Sequence, residues 1–171
     1  DEYVVISGYA QGGTYAVKFN LNGKDGRVRQ APEEIRDSID AMLLRIDRSL
    51  SDYNKNSILS RFNAGESVCL DELFYDLYEK SYAVYEDTDG VVDVASAPLF
   101  DIWGFGFSKG EMPDDKTVEA VKAVSGMSRL SRDIRSCAGA DGSLAAGDVV
   151  LDGGMMPKLN FNAVAQGYSC D

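Results

Sequence analysis

The sequence has 171 residues and none of them is histidine. Histidine is the commonest general base and the commonest protein metal ligand, so its absence excludes a Ser-His or Cys-His catalytic pair from this chain. Cysteine is scarce as well. Cys69, Cys137 and Cys170 are far apart and show no CxxC spacing, so the sequence predicts neither a zinc site nor a disulfide framework. We expect these thiols to be buried or merely tolerated.

The chain also has few positive charges. It contains 17 Lys and Arg residues and 28 Asp and Glu residues, so its net charge is −11. Such a chain repels nucleic acid and anionic membrane surfaces, so we expect no nucleic-acid partner. It repels anionic small molecules too. A phosphate-bearing ligand would therefore need local compensation from backbone amides or a bound cation. No apolar run approaches the roughly 18 residues of a membrane-spanning helix.

Two hydrophobic periodicities are present, and together they predict an α+β fold. Alternation at every second residue predicts two strands that are interrupted at Gly12-Gly13, and recurrence at three- and four-residue steps predicts helices. The predicted helices are 32–50, a short one over ILSRFNAG (58–65) that is capped by Gly65, 70–85 and 114–124. Further short strands are predicted at 128–130, 149–151 and 159–161.

A last helical pattern, NAVAQGYSCD, runs to the end of the sequence at Asp171. Helices rarely stop in mid-pattern without a capping residue. We therefore expect this chain to be a fragment of a single larger domain.

Four segments, in this order, resemble the ApbE family of FAD:protein FMN transferases. They are GGTYAVKF, IDRSLSDYNKNSILSRFNAG, DGVVDVASAPLFDIWGFG and KLNFNAVAQGYSCD. Each segment is weak by itself, but their order and spacing match the family over nearly the whole chain. The resemblance implies an ApbE-like fold of mixed helices and mainly antiparallel sheet. Residues 1–171 would be the flavin-binding N-terminal portion of that one domain.

The resemblance also implies an activity. Family members use Mg²⁺ to cleave the pyrophosphate of FAD, attach FMN to a Thr or Ser hydroxyl of a target flavoprotein, and release AMP. They are typically found at the periplasmic face of the cell envelope, held to the membrane by an N-terminal lipid anchor. Most of the family's metal ligands lie in a downstream segment that this sequence does not contain. We therefore expect the 171-residue piece alone to lack transferase activity.

The resemblance points to Tyr53 and to Val92, Asp93 and Val94 as cofactor-binding residues. An aromatic ring in a polar loop offers a flat face to a flavin or adenine ring, although Tyr53 is equally compatible with a plain surface position. The Asp93 carboxylate suits ribityl or ribose hydroxyls. Its alternative role is to cap a helix that begins near Ser96.

The segment from Asn160 departs from the family, which usually has Asp at position 160 and Lys or Glu at position 166. Asn160 keeps hydrogen-bonding capacity for a cofactor but has no acid–base role, and Gln166 is likewise neutral. Ala163 matches a position whose backbone carbonyl binds Mg²⁺ in relatives, a role that needs no particular side chain. Its alternative is a plain helix start of small residues.

Three functions therefore remain open. They are FMN transfer to protein, hydrolysis of FAD to FMN and AMP, and non-catalytic flavin binding in the cell envelope. Tyr53 favours transfer, because an aromatic side chain over the isoalloxazine would help to exclude water.

Overall fold

A computed structural model describes residues 2–23, 26–66, 68–105, 112–132, 134 and 157–171. The chain divides into two compact units, Asp1–Asp47 and Arg48–Asp171. Within the described residues, no helix combines the length and the apolar character that crossing a lipid bilayer requires. The fold is a mixture of helices and antiparallel strands, as the sequence predicted.

The first unit opens with an antiparallel hairpin of β1 (Tyr3–Ala10) and β2 (Gly13–Asn20). Its two-residue turn is formed by Gln11 at φ 52° and Gly12 at φ 76°. Two successive positive φ values match the twist of a two-residue hairpin, and glycine adopts them without steric cost. The predicted break between two strands is confirmed.

A second antiparallel pair follows, formed by β3 (Asn22–Gly23) and β4 (Gly26–Arg27). Helix α1 (Pro32–Leu50) spans the predicted range, and its first turn contains proline and two acidic residues, which suit the positive end of the helix dipole.

Side chains of α1 fasten that helix to the hairpin within the first unit. The Tyr15 hydroxyl donates to Asp40 Oδ1 at 2.8 Å, and Arg36 Nη1 donates to the Ser7 carbonyl at 3.2 Å. The helical periodicity predicts an apolar stripe that is buried at Ile46 and Leu50 but is wrong at Met42, which is 44% exposed. Its six positions are Ile35, Ile39, Met42, Leu43, Ile46 and Leu50. The six predicted positions spread over more of the helix circumference than the packed face covers.

The second unit is mainly helical. Side chains of Ser57, Asp71 and Asp114 cap α2, α3 and α5, each by accepting from a backbone N–H of the first turn. The Gly65 cap after α2 is confirmed by its φ of 75°. The helices are α2 (Ile58–Asn63), α3 (Glu72–Asp87), α4 (Ala97–Ile102), α5 (Asp115–Lys122) and α6 (Ala165–Tyr168).

The core of this unit is centred on Phe74 of α3, which is fully buried. Its ring centroid lies 5.6 Å from that of Phe62 and 5.6 Å from that of Phe161. Tyr78, one turn further along α3, is also fully buried and donates its hydroxyl to the Ser131 carbonyl at 2.7 Å. Helix α3 thus joins three distant parts of the chain.

Two of the short predicted strands are wrong. Residues Met127–Arg129 form a 3₁₀ helix, because Gly126 turns the backbone with φ 107° and the Leu130 N–H closes on the Met127 carbonyl. Residues 159–161 belong to no strand of the two sheets, since a side chain rather than a neighbouring strand pairs with the Leu159 backbone. The predicted strand at 149–151 lies outside the described residues, as does Cys137.

Candidate active site

A cavity of about 400 Å³ opens in the second unit. That volume lies in the range of small-molecule sites. Tyr53 and Asn160, two of the residues that the sequence indicated as cofactor-binding, both line it. The other lining residues are Asp52, Ser60, Asn63, Ala64, Ala97, Asp101, Phe105, Lys158, Leu159 and Asn162.

One wall is the loop that carries Tyr53. This loop is tied to the start of α2, because the buried Ser57 hydroxyl donates to the Ser51 carbonyl at 2.6 Å and accepts the Ser60 N–H at 2.9 Å. The Ser60 hydroxyl adds a second contact to the Ser51 carbonyl at 3.2 Å. The loop backbone is thereby fixed while the Tyr53 side chain stays 71% exposed.

Another wall is the segment 157–162. Pro157, Leu159 and Phe161 are buried in it, and the polar residues between them, Lys158 and Asn160, line the cavity. The Asn160 N–H donates to the Val94 carbonyl at 2.7 Å. Alternation of core and cavity residues gives this irregular segment a packed side and a polar side.

The remaining predicted site residues lie outside the cavity lining. Val92 is 37% exposed and Val94 is buried, while Ala163 is exposed just before α6. Only the Val94 backbone reaches the cavity wall, through its bond to Asn160. The cofactor and metal roles of these residues stay predictions.

The Asp93 carboxylate accepts hydrogen bonds from two backbone N–H groups. Oδ1 accepts from Ala95 at 2.8 Å, and both carboxylate oxygens accept from Met127 at 3.1 Å. Its side chain therefore holds the turn before α4 against the 3₁₀ helix. The sequence left open that Asp93 caps the helix near Ser96. Asp93 does accept a backbone N–H just before that helix, but the N-cap residue of α4 is Ser96.

Sequence reasoning missed two carboxyl groups of the cavity, Asp52 and Asp101. Burial and, to a lesser degree, the nearby Asp101 carboxylate together raise the pKa of Asp52 from its ordinary 3.8 to about 6. The available signal was the acidic residue directly before Tyr53, in a loop whose one other charged residue is Lys55. The acidic lining makes this part of the cavity a poor place for a phosphate group.

Replacing Asp52 by asparagine is expected to stabilise the protein at neutral pH. Because the folded-state pKa lies above the unfolded-state value, the charged carboxylate lowers the free energy of unfolding progressively as pH rises from about 4 to 6. After allowance for solvent screening this loss is about 1–2 kcal/mol. Urea unfolding at pH 4 and pH 7.5 measures it.

The comparison of the two pH values separates this effect from any change in packing. Asp52→Asn should match the unsubstituted protein more closely at pH 4 and exceed its stability at pH 7.5. Asp101→Asn should raise the free energy of unfolding by less, because it removes only the repulsion by Asp101 and leaves Asp52 buried. An equal stability difference at both pH values would contradict the expectation.

The described residues do not form a complete magnesium site. Among them, no group of three His, Cys, Asp or Glu side chains lies close enough together to hold a metal ion. The Ala163 carbonyl is a single candidate ligand, and Mg²⁺ needs six oxygen ligands, some of them waters.

Sequence and structure comparisons give one consistent result. The sequence model of the ApbE family matches residues 12–171. An Escherichia coli K12 protein named FAD:protein FMN transferase is 32% identical over 103 residues, which cover 57% of this chain and 29% of that protein. A Haemophilus influenzae protein of the same name is 28% identical over 136 residues, covering 76% of this chain and 38% of its own length.

A solved structure gives the same result for the fold. The apo form of the Pseudomonas stutzeri flavinyl transferase ApbE superposes with a TM-score of 0.76 at 29% identity. The alignment covers 99% of this chain and 50% of that one. The present chain thus spans about half the length of the solved structure and less than half of the two curated relatives.

Proposed function

This chain belongs to the ApbE family, and we propose that its full-length protein transfers FMN from FAD to a Thr or Ser hydroxyl of a target flavoprotein. The curated relatives carry the name of that reaction. The observation that carries the proposal for this chain is the shared cavity of Tyr53 and Asn160, which come from two separate family-like motifs.

The cavity suits the uncharged part of FAD. Tyr53 and Phe105 offer aromatic surface, and both are mostly exposed toward solvent, at 71% and 81%. A flavin ring can stack on such side chains and replace water there. The amide groups of Asn160 and Asn162 offer hydrogen bonds to carbonyl and hydroxyl groups.

Charge determines the orientation that we propose for FAD. Asp52 and Asp101 would repel the pyrophosphate, whereas the Lys158 ammonium attracts it. We therefore propose that the phosphates lie on the Lys158 side of the cavity and the ring or its hydroxyl chain lies toward Asp52.

In the proposed reaction the acceptor hydroxyl oxygen attacks the phosphorus of the FMN half. A new P–O bond to the protein forms, and the P–O bond to the bridging oxygen breaks. AMP leaves with that oxygen, and the hydroxyl proton passes to solvent or to a base. The residues of this chain serve by binding and orienting FAD rather than by covalent chemistry.

The test uses the full-length gene product with FAD, Mg²⁺ and a target that carries the acceptor Thr. Flavin fluorescence of the target after denaturing electrophoresis and AMP release are measured in the same reaction. Equal amounts of labelled target and AMP are expected. A target with the acceptor replaced by valine is the control and should stay unlabelled.

Two other results would overturn the proposal. Free FMN and AMP without labelled target indicate the hydrolase, in which water replaces the hydroxyl. FAD binding without either product indicates a non-catalytic flavin-binding protein of the envelope.

Replacing Tyr53 by alanine is expected to weaken FAD binding about tenfold, because loss of an aromatic stacking partner costs on the order of 1–3 kcal/mol. Quenching of flavin fluorescence on titration measures the change. Tyr53→Phe keeps the ring and should bind FAD nearly as well as the unsubstituted protein. Equal binding by Tyr53→Ala would show that this side chain does not contact the flavin.

Further parts of the proposal rest on the family resemblance alone. They are the Mg²⁺ requirement, with Ala163 as one ligand and the others supplied from outside the described residues, and a lipid-anchored location at the periplasmic face of the cell envelope. Loss of labelling in the presence of EDTA, restored by added Mg²⁺, tests the first. Fractionation of cells that express the full-length gene tests the second.

A further inference from the structure

Each end of helix α2 is hydrogen-bonded to a different wall of the cavity. At its start, Ser57 and Ser60 hold the Ser51 carbonyl and thus the loop that carries Tyr53. At its end, the Asn63 side chain is hydrogen-bonded to the Leu159 backbone in the segment 157–162. A helix of six residues is short and stiff. Its two ends therefore set the spacing between the walls.

The contact at Asn63 is reciprocal. Its Nδ2 donates to the Leu159 carbonyl at 2.8 Å, and its Oδ1 accepts the Leu159 N–H at 2.8 Å. Leu159 is fully buried, so both of its backbone groups need a protein partner. A carboxamide is the one side-chain group of this length that both donates and accepts. Leucine has the same size and does neither.

The residues on either side of Leu159 line the cavity. Lys158 and Asn160 extend from the segment that Asn63 holds, and the Asn160 N–H is fixed in addition by the Val94 carbonyl. Without the Asn63 contact, the backbone that carries Lys158 loses its only two bonds to α2 among the described hydrogen bonds. The Tyr53 wall would keep its own contacts to Ser57 and Ser60.

We propose that Asn63 is a positioning residue: it fixes Lys158 and Asn160 relative to Tyr53 so that the cavity favours phosphate-bearing flavins over the phosphate-free ring. This rests on the proposed function, in which Lys158 faces the phosphates of FAD. The Lys158 charge acts on phosphate only when the backbone holds it at the right distance. Riboflavin has the ring and hydroxyl chain but no phosphate, so it depends less on this positioning.

The experiment measures dissociation constants for FAD and for riboflavin by flavin fluorescence, with the full-length protein. Asn63→Leu is expected to raise the Kd for FAD about tenfold, because Lys158 is no longer held beside the phosphates, and to change that for riboflavin less than about threefold. Tyr78→Phe is the matched control, because it removes one buried hydrogen bond of the same unit away from the cavity. It should leave both constants unchanged at a temperature where all variants are folded.

A double variant tests whether Asn63 acts through Lys158. Lys158→Ala should lower FAD affinity selectively, and Asn63→Leu combined with Lys158→Ala should lose little more than the weaker-binding single variant. Asn63→Gln, whose carboxamide lies one methylene further out, replaces Asn63→Leu if the latter does not fold.

Each outcome has a distinct meaning. Unchanged FAD affinity in Asn63→Leu, or an equal loss for FAD and riboflavin, overturns the positioning role and leaves the proposed function standing. Failure of the unsubstituted protein to bind FAD overturns the proposed function and, with it, this role. A FAD-selective loss that is not additive with Lys158→Ala supports both.

Discussion

Replacing Phe74 by alanine is expected to lower the free energy of unfolding by about 3–5 kcal/mol, the usual cost of deleting a buried phenyl ring. Phe74 is fully buried and contacts both Phe62 and Phe161. These neighbours come from α2 and from the segment 157–162, so the ring packs against two of the elements that line the cavity. Urea unfolding followed by circular dichroism measures the loss.

Phe100→Ala is the matched control, since that phenylalanine lies on α4 with 49% of its surface exposed. It should cost less than about 1 kcal/mol, as surface substitutions do. An equal loss in the two variants would mean that the aromatic cluster around Phe74 does not hold this unit together. Because the total stability of a domain is only about 5–15 kcal/mol, Phe74→Ala should remove a substantial part of it.

The elements predicted best from the sequence are those whose signals are local. Helix α1 begins at Pro32 as predicted, and α5 begins at Asp115, one residue after the predicted start, with Asp114 as its N-cap. Proline at a first turn and a side-chain oxygen that accepts a first-turn N–H act within a few residues, so a single sequence contains them. The hairpin turn at Gly12 has the same local origin.

Long-range pairing could not be predicted in this way. Residues 128–130 were predicted as a strand, but among the described residues no strand pairs with them, and Gly126 at φ 107° redirects the chain. Leu159 lacks a strand partner for a different reason, since the side chain of Asn63 pairs with its backbone. Neither arrangement has a signature in a short window of sequence.

In the candidate site, too, some residues could be predicted from the sequence and others depend on long-range contacts. Tyr53 and Asn160 were selected through resemblance, and both line the cavity. Asp52 and Lys158 were not selected, because charged residues in polar loops are common and only the fold brings these two to one cavity. The significance of Asn63 depends on its contact with a residue nearly a hundred positions away.

Replacing Asp93 by alanine is expected to lower the free energy of unfolding by about 2–3 kcal/mol, because hydrogen bonds to a charged acceptor contribute about 1.5–3 kcal/mol. The Met127 N–H loses both of its acceptor oxygens, and Met127 is fully buried, so water does not readily replace them. The Ala95 N–H loses its acceptor as well. Asp93→Asn keeps one acceptor oxygen and should cost less.

The same variants distinguish a structural role of Asp93 from the cofactor contact that the family resemblance implies. If the carboxylate acts through the backbone of Met127, stability falls while FAD affinity of the folded protein changes little. If it contacts FAD, affinity falls in Asp93→Asn as well, beyond any change in stability. Asp114→Ala, which removes an exposed helix cap, is the control for a carboxylate lost far from the cavity and should cost about 1 kcal/mol without changing FAD affinity. Since both Asp93 oxygens are already engaged by Met127, we expect the first result.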